Sequence, residues 1–163
     1  MTARMVTMKC GLRRFARSEG GTQLVELALA LPLLLVMFGA AAEFGRFFYT
    51  YQTLTKATRA GARYLTTEPA DGSSDVEAAR LVVYGNTEGE GDPVLAGVGV
   101  GNVSVSRGNA AGAGQPDRVT VGIDGYTYQP IFDLGALVGN KKLSLKVELS
   151  PSTTMRMLTT IPS

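Results

Sequence analysis

Hydrophobic positions follow three different rhythms along the chain. From Thr22 to Ala42 they run almost without a break, through Leu24-Val25, Leu27-Ala28-Leu29-Ala30-Leu31 and Leu33-Leu34-Leu35-Val36-Met37-Phe38, with Glu26 the one charge and Pro32 the one helix breaker. As a helix, these roughly 21 residues rise about 31 Å at ~1.5 Å each, enough to cross a hydrocarbon core of ~30 Å. A transmembrane half at about residues 22–42 is therefore predicted. Beyond Glu43 the spacing changes to threes and fours: Phe44, Phe47, Phe48, Tyr51, Leu54, Ala62 and Leu65 fall within an arc of about 120°, while Lys56, Arg59 and Arg63 share a separate arc of about 60°. One continuous helix over 22–66 is implied, apolar all round at first and amphipathic later, with its later stripe laid on a soluble domain. Pro69 and the Asp71-Gly72-Ser73-Ser74 cluster end it.

The third rhythm, alternation, belongs to residues 67–163. Asp75 to Asn86 predicts a short helix capped by Ser74, with Val76, Ala79, Val82 and Val83 on one face. Glu88 to Gly101 is glycine-rich and reads as a flexible loop; Ser104 stands where a dinucleotide fingerprint would need its third glycine. Strands are expected at Val103–Ser106, Arg118–Ile123 and Leu143–Leu149, with Asn109 to Asp117 a mobile connection and Gly139-Asn140 a turn. The fold class is α+β: a long N-terminal transmembrane helix whose amphipathic half packs on a small antiparallel sheet. Such a sheet is marginal without the helix to cover one face.

Charge orients the chain. The first 21 residues carry Arg4, Lys9, Arg13, Arg14 and Arg17 against Glu19, whereas Arg46 is the first cation after the apolar run. The positive-inside bias predicts a cytoplasmic leader at 1–21, a single membrane pass and an extracytoplasmic 67–163 domain. A cleaved secretory signal shares the basic start, but the apolar run exceeds the ~7–15 residues of a signal core, contains Glu26, and passes through Gly39–Ala42 into more helix. Cys10 has no apolar run before it and reads as an unpaired cytosolic thiol rather than a lipidation site. With 16 basic and 14 acidic residues overall, nucleic-acid binding has no compositional support. No histidine and a single cysteine remove the commonest general base, the commonest metal ligand and any internal disulfide. No nucleophile elbow or paired-carboxylate motif is present, so no catalytic residue, cofactor, metal or small-molecule ligand is expected.

The run Gly20-Gly21-Thr22-Gln23-Leu24-Val25-Glu26-Leu27-Ala28-Leu29-Ala30-Leu31-Pro32, then Glu43-Phe44-Gly45-Arg46-Phe47-Phe48-Tyr49 and Ala57-Thr58-Arg59-Ala60-Gly61-Ala62-Arg63-Tyr64, resembles the TadE-like family, minor pseudopilins of the bacterial tight-adherence (Flp) pilus system. The likeness is continuous over about residues 20–65. It is weaker at Tyr126-Thr127-Tyr128-Gln129-Pro130-Ile131-Phe132 and Thr154-Met155-Arg156, and lacking over about 70–116. Leu27 departs from the aromatic residue many pilin leaders carry there.

The resemblance implies cutting by a prepilin peptidase after Gly21, leaving Thr22 as the new N-terminus and Glu26 as the fifth residue. It also implies a role in pilus assembly by helix–helix packing with other pilin-like subunits. A glycine before the scissile bond obstructs little, and the cut removes the basic tail while sparing the apolar helix. Glu26 then places a carboxylate near the cytoplasmic edge of the bilayer, where a cationic partner is welcome; the family's implied partner is a neighbour's new α-amino group, and reaching the head groups from a shallow position is the alternative. Pro32 removes a backbone donor inside the helix and predicts a kink. Glu43 reads as a marker of the outer membrane interface, Gly39–Ala42 as a weak packing surface, and Arg59 and Arg63 as a solvated face. The competing reading is a permanently anchored extracytoplasmic binding module.

Overall fold

The computed structural model describes residues 19–158, apart from 110–115, 134, 137–138, 141, 143 and 145. The predicted cytoplasmic leader at 1–18, and Leu143 and Leu145 of the expected third strand, lie outside the described residues. The chain divides into two compact units, Met1–Ala42 and Glu43–Ser163.

The described part of the first unit is helix. Helix α1 spans Glu19–Leu65 and passes through Pro32, so its first half lies in this unit and its second half in the next. The leucines, Val25, Met37 and Phe38 of the first half are exposed. Its most apolar stretch reaches a mean hydropathy of 2.3, and by length and composition it suffices to cross a membrane. No core draws these side chains inward, so only lipid or other apolar helices would relieve their contact with water.

The second unit is α+β. Among the described residues, the rest of α1 is followed by α2 (Asp75–Tyr84), a 3-10 turn (Val100–Asn102) and five strands: β1 (Val103–Gly108), β2 (Arg118–Ile123), β3 (Tyr126–Thr127), β4 (Glu148–Leu149) and β5 (Ser152–Arg156). β1, β2 and β5 form one antiparallel sheet in that order, with Val105 opposite Val121 and Val121 opposite Thr153. β3 and β4 form a separate antiparallel pair. The central strand carries the pattern that a sheet covered on one side demands: Val119, Val121 and Ile123 are fully buried at period two. They pack with Leu54, Ala62 and Leu65 of α1 and Ala78, Val82 and Val83 of α2.

Three expectations shift on contact with the structure. On α1 the buried positions are Glu43, Thr50, Leu54, Thr58, Gly61, Ala62 and Leu65, whereas Phe44, Phe48 and Tyr51 are exposed. The inward face is thus turned roughly 45° from the hydrophobic stripe. Thr58 occupies it because its hydroxyl finds partners: Oγ1 lies 3.1 Å from Thr153 Oγ1 on β5 and 3.0 Å from the Thr55 carbonyl. Gly61 is inward because a Cβ there would sit 2.6 Å from Val82 Cγ2, so its missing side chain lets α1 approach α2. On α2, Ala78 takes the place expected of Val76, which is exposed. Ser74 sits at the N-cap without capping through its side chain, which donates to Glu68 instead.

The glycine-rich stretch 88–101 is more ordered than a free loop. Gly85, at φ +77°, ends α2 in the left-handed region that glycine tolerates. The Asn86 side chain then accepts from the Gly89 and Glu90 amides, Val94 N–H donates to the Val83 carbonyl at 2.7 Å, and Val98 enters the core. The third strand of the main sheet is Ser152–Arg156 rather than the Leu143–Leu149 run, of which Glu148–Leu149 pairs with β3.

Candidate functional site

The sequence-predicted site residues lie along the first half of α1. Gly21 and Thr22 lie within α1, near the start of its described range. Glu26 is exposed, one turn further on, and has no ion-pair partner among the described residues. Pro32 is exposed inside the helix, where the missing N–H frees the Ala28 carbonyl.

The structure builds a site that sequence reasoning passed over, at the start of the second unit. Glu43 is only 4% exposed, and a buried carboxylate is costly unless its oxygens are satisfied. Three donors converge on it. Tyr128 Oη donates to Oε1 at 2.5 Å, the Ile131 amide to Oε1 at 3.2 Å and the Phe132 amide to Oε2 at 3.0 Å. Arg46, one turn along the same helix, places Nε 3.5 Å from Oε1 and donates to Tyr128 Oη at 2.9 Å, while its second amino group donates to the Gln129 carbonyl. The guanidinium also stands over the Tyr128 ring, 5.2 Å from its centroid, and Phe47 meets that ring edge-on at 5.3 Å.

The electrostatics follow from this geometry. Burial pushes the Glu43 carboxyl up, but the Tyr128 hydroxyl, the Phe132 and Ile131 amides and the Arg46 charge outweigh it and hold the group below the ordinary carboxylate range. Burial and the hydrogen bond to Glu43 push the Tyr128 phenol up, keeping it a donor. The site is a latch: one helical carboxylate fixes the course of a six-residue segment more than 80 positions away in sequence. Glu43 is thus buried and hydrogen-bonded rather than free in solvent. The signals lay in an acid bounding an apolar run with a cation three residues on, and in the Tyr-x-Tyr-x-Pro pattern, which supplies a hydroxyl and then amides free of strand pairing.

Beside the latch an open groove of about 720 Å³ is lined by Arg46, Tyr49, Leu95, Gly97, Tyr126 and Gln129 among others. Among the described residues, no cluster of three or more Cys, Asp or Glu side chains converges to hold a metal. Elsewhere in the unit, Arg107 of β1 makes two hydrogen bonds with Asp75, the first residue of α2, one of them at 3.0 Å.

A single apolar N-terminal helix that runs on into a small α+β unit is compatible with a single-pass membrane protein. Residues 21–63 match the family model for TadE-like protein, so the resemblance read in the sequence is borne out over that segment, from Gly21 through Glu26, Pro32, Glu43 and Arg46. No match was found among curated proteins or among solved structures.

Proposed function

We propose that this protein is a minor pseudopilin of a tight-adherence pilus system, cut by a prepilin peptidase after Gly21 and packing its apolar helix against other pilin-like helices during assembly. The observation that carries this reading is the coincidence of the family match, residues 21–63, with one helix whose first half is exposed and apolar. Such a surface is satisfied in lipid and equally well by sister helices, so it suits a subunit that must leave a bilayer for a filament or its base. Glu26, exposed near the helix start, is the group that a neighbour's cation would pair with. The protein acts by packing and carries out no catalysis. Its N-terminus is cytoplasmic, and the unit from Glu43 onward is extracytoplasmic.

N-terminal sequencing of the mature protein, in cells with and without an active prepilin peptidase, tests the reading. A start at Thr22 that depends on the peptidase is expected. An intact leader would instead favour the permanently anchored binding module, for which the groove beside Arg46 is the supporting observation. Glu26→Ala is expected to leave membrane insertion unaltered while weakening pulldown of partner subunits; unchanged pulldown and piliation would remove Glu26 from the mechanism.

A further inference from the structure

We propose that the segment Tyr128–Asp133, held by Glu43, is embedded in the lipid interface where the membrane span ends, giving the soluble unit a second foothold on the bilayer beside the helix. The inference rests on reading residues 22–42 as membrane-spanning. Glu43 follows the last residue of that span, and side chains on a helix lean toward its N-terminus, here toward the bilayer. A backbone whose amide sits 3.2 Å from the Glu43 carboxylate therefore lies at the level of the interface.

The segment has the composition that this level requires. Ile131 is 79% exposed, the most exposed large hydrophobic side chain among the described residues of the second unit. Part of its backbone is already answered: the Ile131 and Phe132 amides by Glu43 and the Gln129 carbonyl by Arg46, while Pro130 has no amide. Each donor or acceptor that protein answers lowers the cost of bringing an irregular segment to an apolar boundary, and the latch answers these three. Phe44 and Phe48 are exposed on the adjoining turns of α1, about 3–9 Å past Ala42 at ~1.5 Å per residue, within the depth of a headgroup layer. Aromatic residues concentrate in that layer. Exposed Lys142 and Lys146 flank Ser144, whose hydroxyl donates to Asp133, and suit anionic lipid head groups.

The chain contains no tryptophan, so single substitutions report position directly. Ile131→Trp, Leu158→Trp and Phe38→Trp proteins are reconstituted at full length in phosphatidylethanolamine–phosphatidylglycerol vesicles, with and without lipids brominated high on the acyl chain. Leu158 is a matched control. It is 75% exposed, but its amide is bonded to the Thr66 carbonyl, roughly 35 Å along the helix axis from Glu43 at ~1.5 Å per residue. Blue-shifted emission at position 131 that loses intensity with brominated lipid is expected, with neither effect at 158. Red-shifted, unquenched emission at 131 with quenching at 38 would overturn the foothold and leave the span standing. No quenching at 38 would overturn both. Blue-shifted emission at 131 that ignores bromine but weakens as protein is diluted in lipid would assign the surface to a second copy and overturn the lipid reading.

Discussion

Replacing Glu43 with glutamine keeps the side-chain shape and removes the charge, which makes it the sharpest probe of the latch. The carboxylate accepts from Tyr128 Oη, Ile131 N and Phe132 N. A glutamine oxygen can serve one side of that set, while its amino group turns a donor toward a donor on the other. Hydrogen bonds to charged groups contribute about 1.5–3 kcal/mol each, and one is lost outright. At ~1.4 kcal/mol per tenfold change in an equilibrium, local opening of the 129–133 segment should become roughly 10- to 100-fold more frequent. Amide hydrogen exchange on the full-length protein in lipid nanodiscs reads this at Ile131 and Phe132. Faster exchange is expected there, with the Val119–Ile123 amides of β2 little changed. Tyr128→Phe should give a smaller loss, and combining the two should cost less than their sum, because loss of the charge already weakens the 2.5 Å bond that Tyr128→Phe removes. Exchange at Ile131 and Phe132 that stays within about twofold of the parent, some 0.4 kcal/mol, would refute the latch.

The acid dependence of the same site has a definite sign. The folded Glu43 carboxyl sits below its ordinary value of 4.5, so between the two values the unfolded state binds more protons and stability rises with pH. The contribution is fully present above that ordinary value and is lost as pH falls through the lower folded one, so acid unfolding of the Glu43→Gln protein should be shallower below about pH 4.5. Gly61→Ala is expected to destabilise by about 1–3 kcal/mol in denaturant unfolding despite alanine's better helix propensity, because its Cβ meets Val82; adding Val82→Ala should recover part of the loss. Asp75→Asn removes the charge facing Arg107, whose Nε is buried and without a hydrogen-bond partner, and should cost about 1–3 kcal/mol by the same assay; a silent Asp75→Asn would mean that the α2–β1 contact rests on packing alone.

The long helix was legible because its signal is collective: twenty-odd apolar residues followed by threes and fours admit one element. Strands β1 and β2 announced themselves by alternation of valine with serine, threonine or arginine. Strand β5 did not, since Thr153 and Met155 alternate with Ser152, Thr154 and Arg156 and only Met155 looks hydrophobic. The inward face of α1 was misjudged by some 45° because hydrophobicity cannot register a threonine that meets another threonine, or a glycine whose value is the space it leaves. Glu43 was hidden for a related reason. A single acid beside a membrane span has two fates, solvation or capture, and the capturing residues, Tyr128 to Phe132, lie more than 80 positions downstream. Only tertiary structure joins them.

The order β1-β2-β5 sets a timetable for the nascent chain. The middle strand, β2, is made well before its outer neighbour β5, and residues 118–122 expose a hydrogen-bonding edge until Ser152–Arg156 arrive. Because synthesis runs from the N-terminus, the hydrophobic sheet stays half-built until Ser152–Arg156 have emerged. Truncation before Ser152 would therefore yield an adhesive intermediate rather than a smaller folded unit, and a newborn chain would need shielding from the emergence of β2 to that of β5.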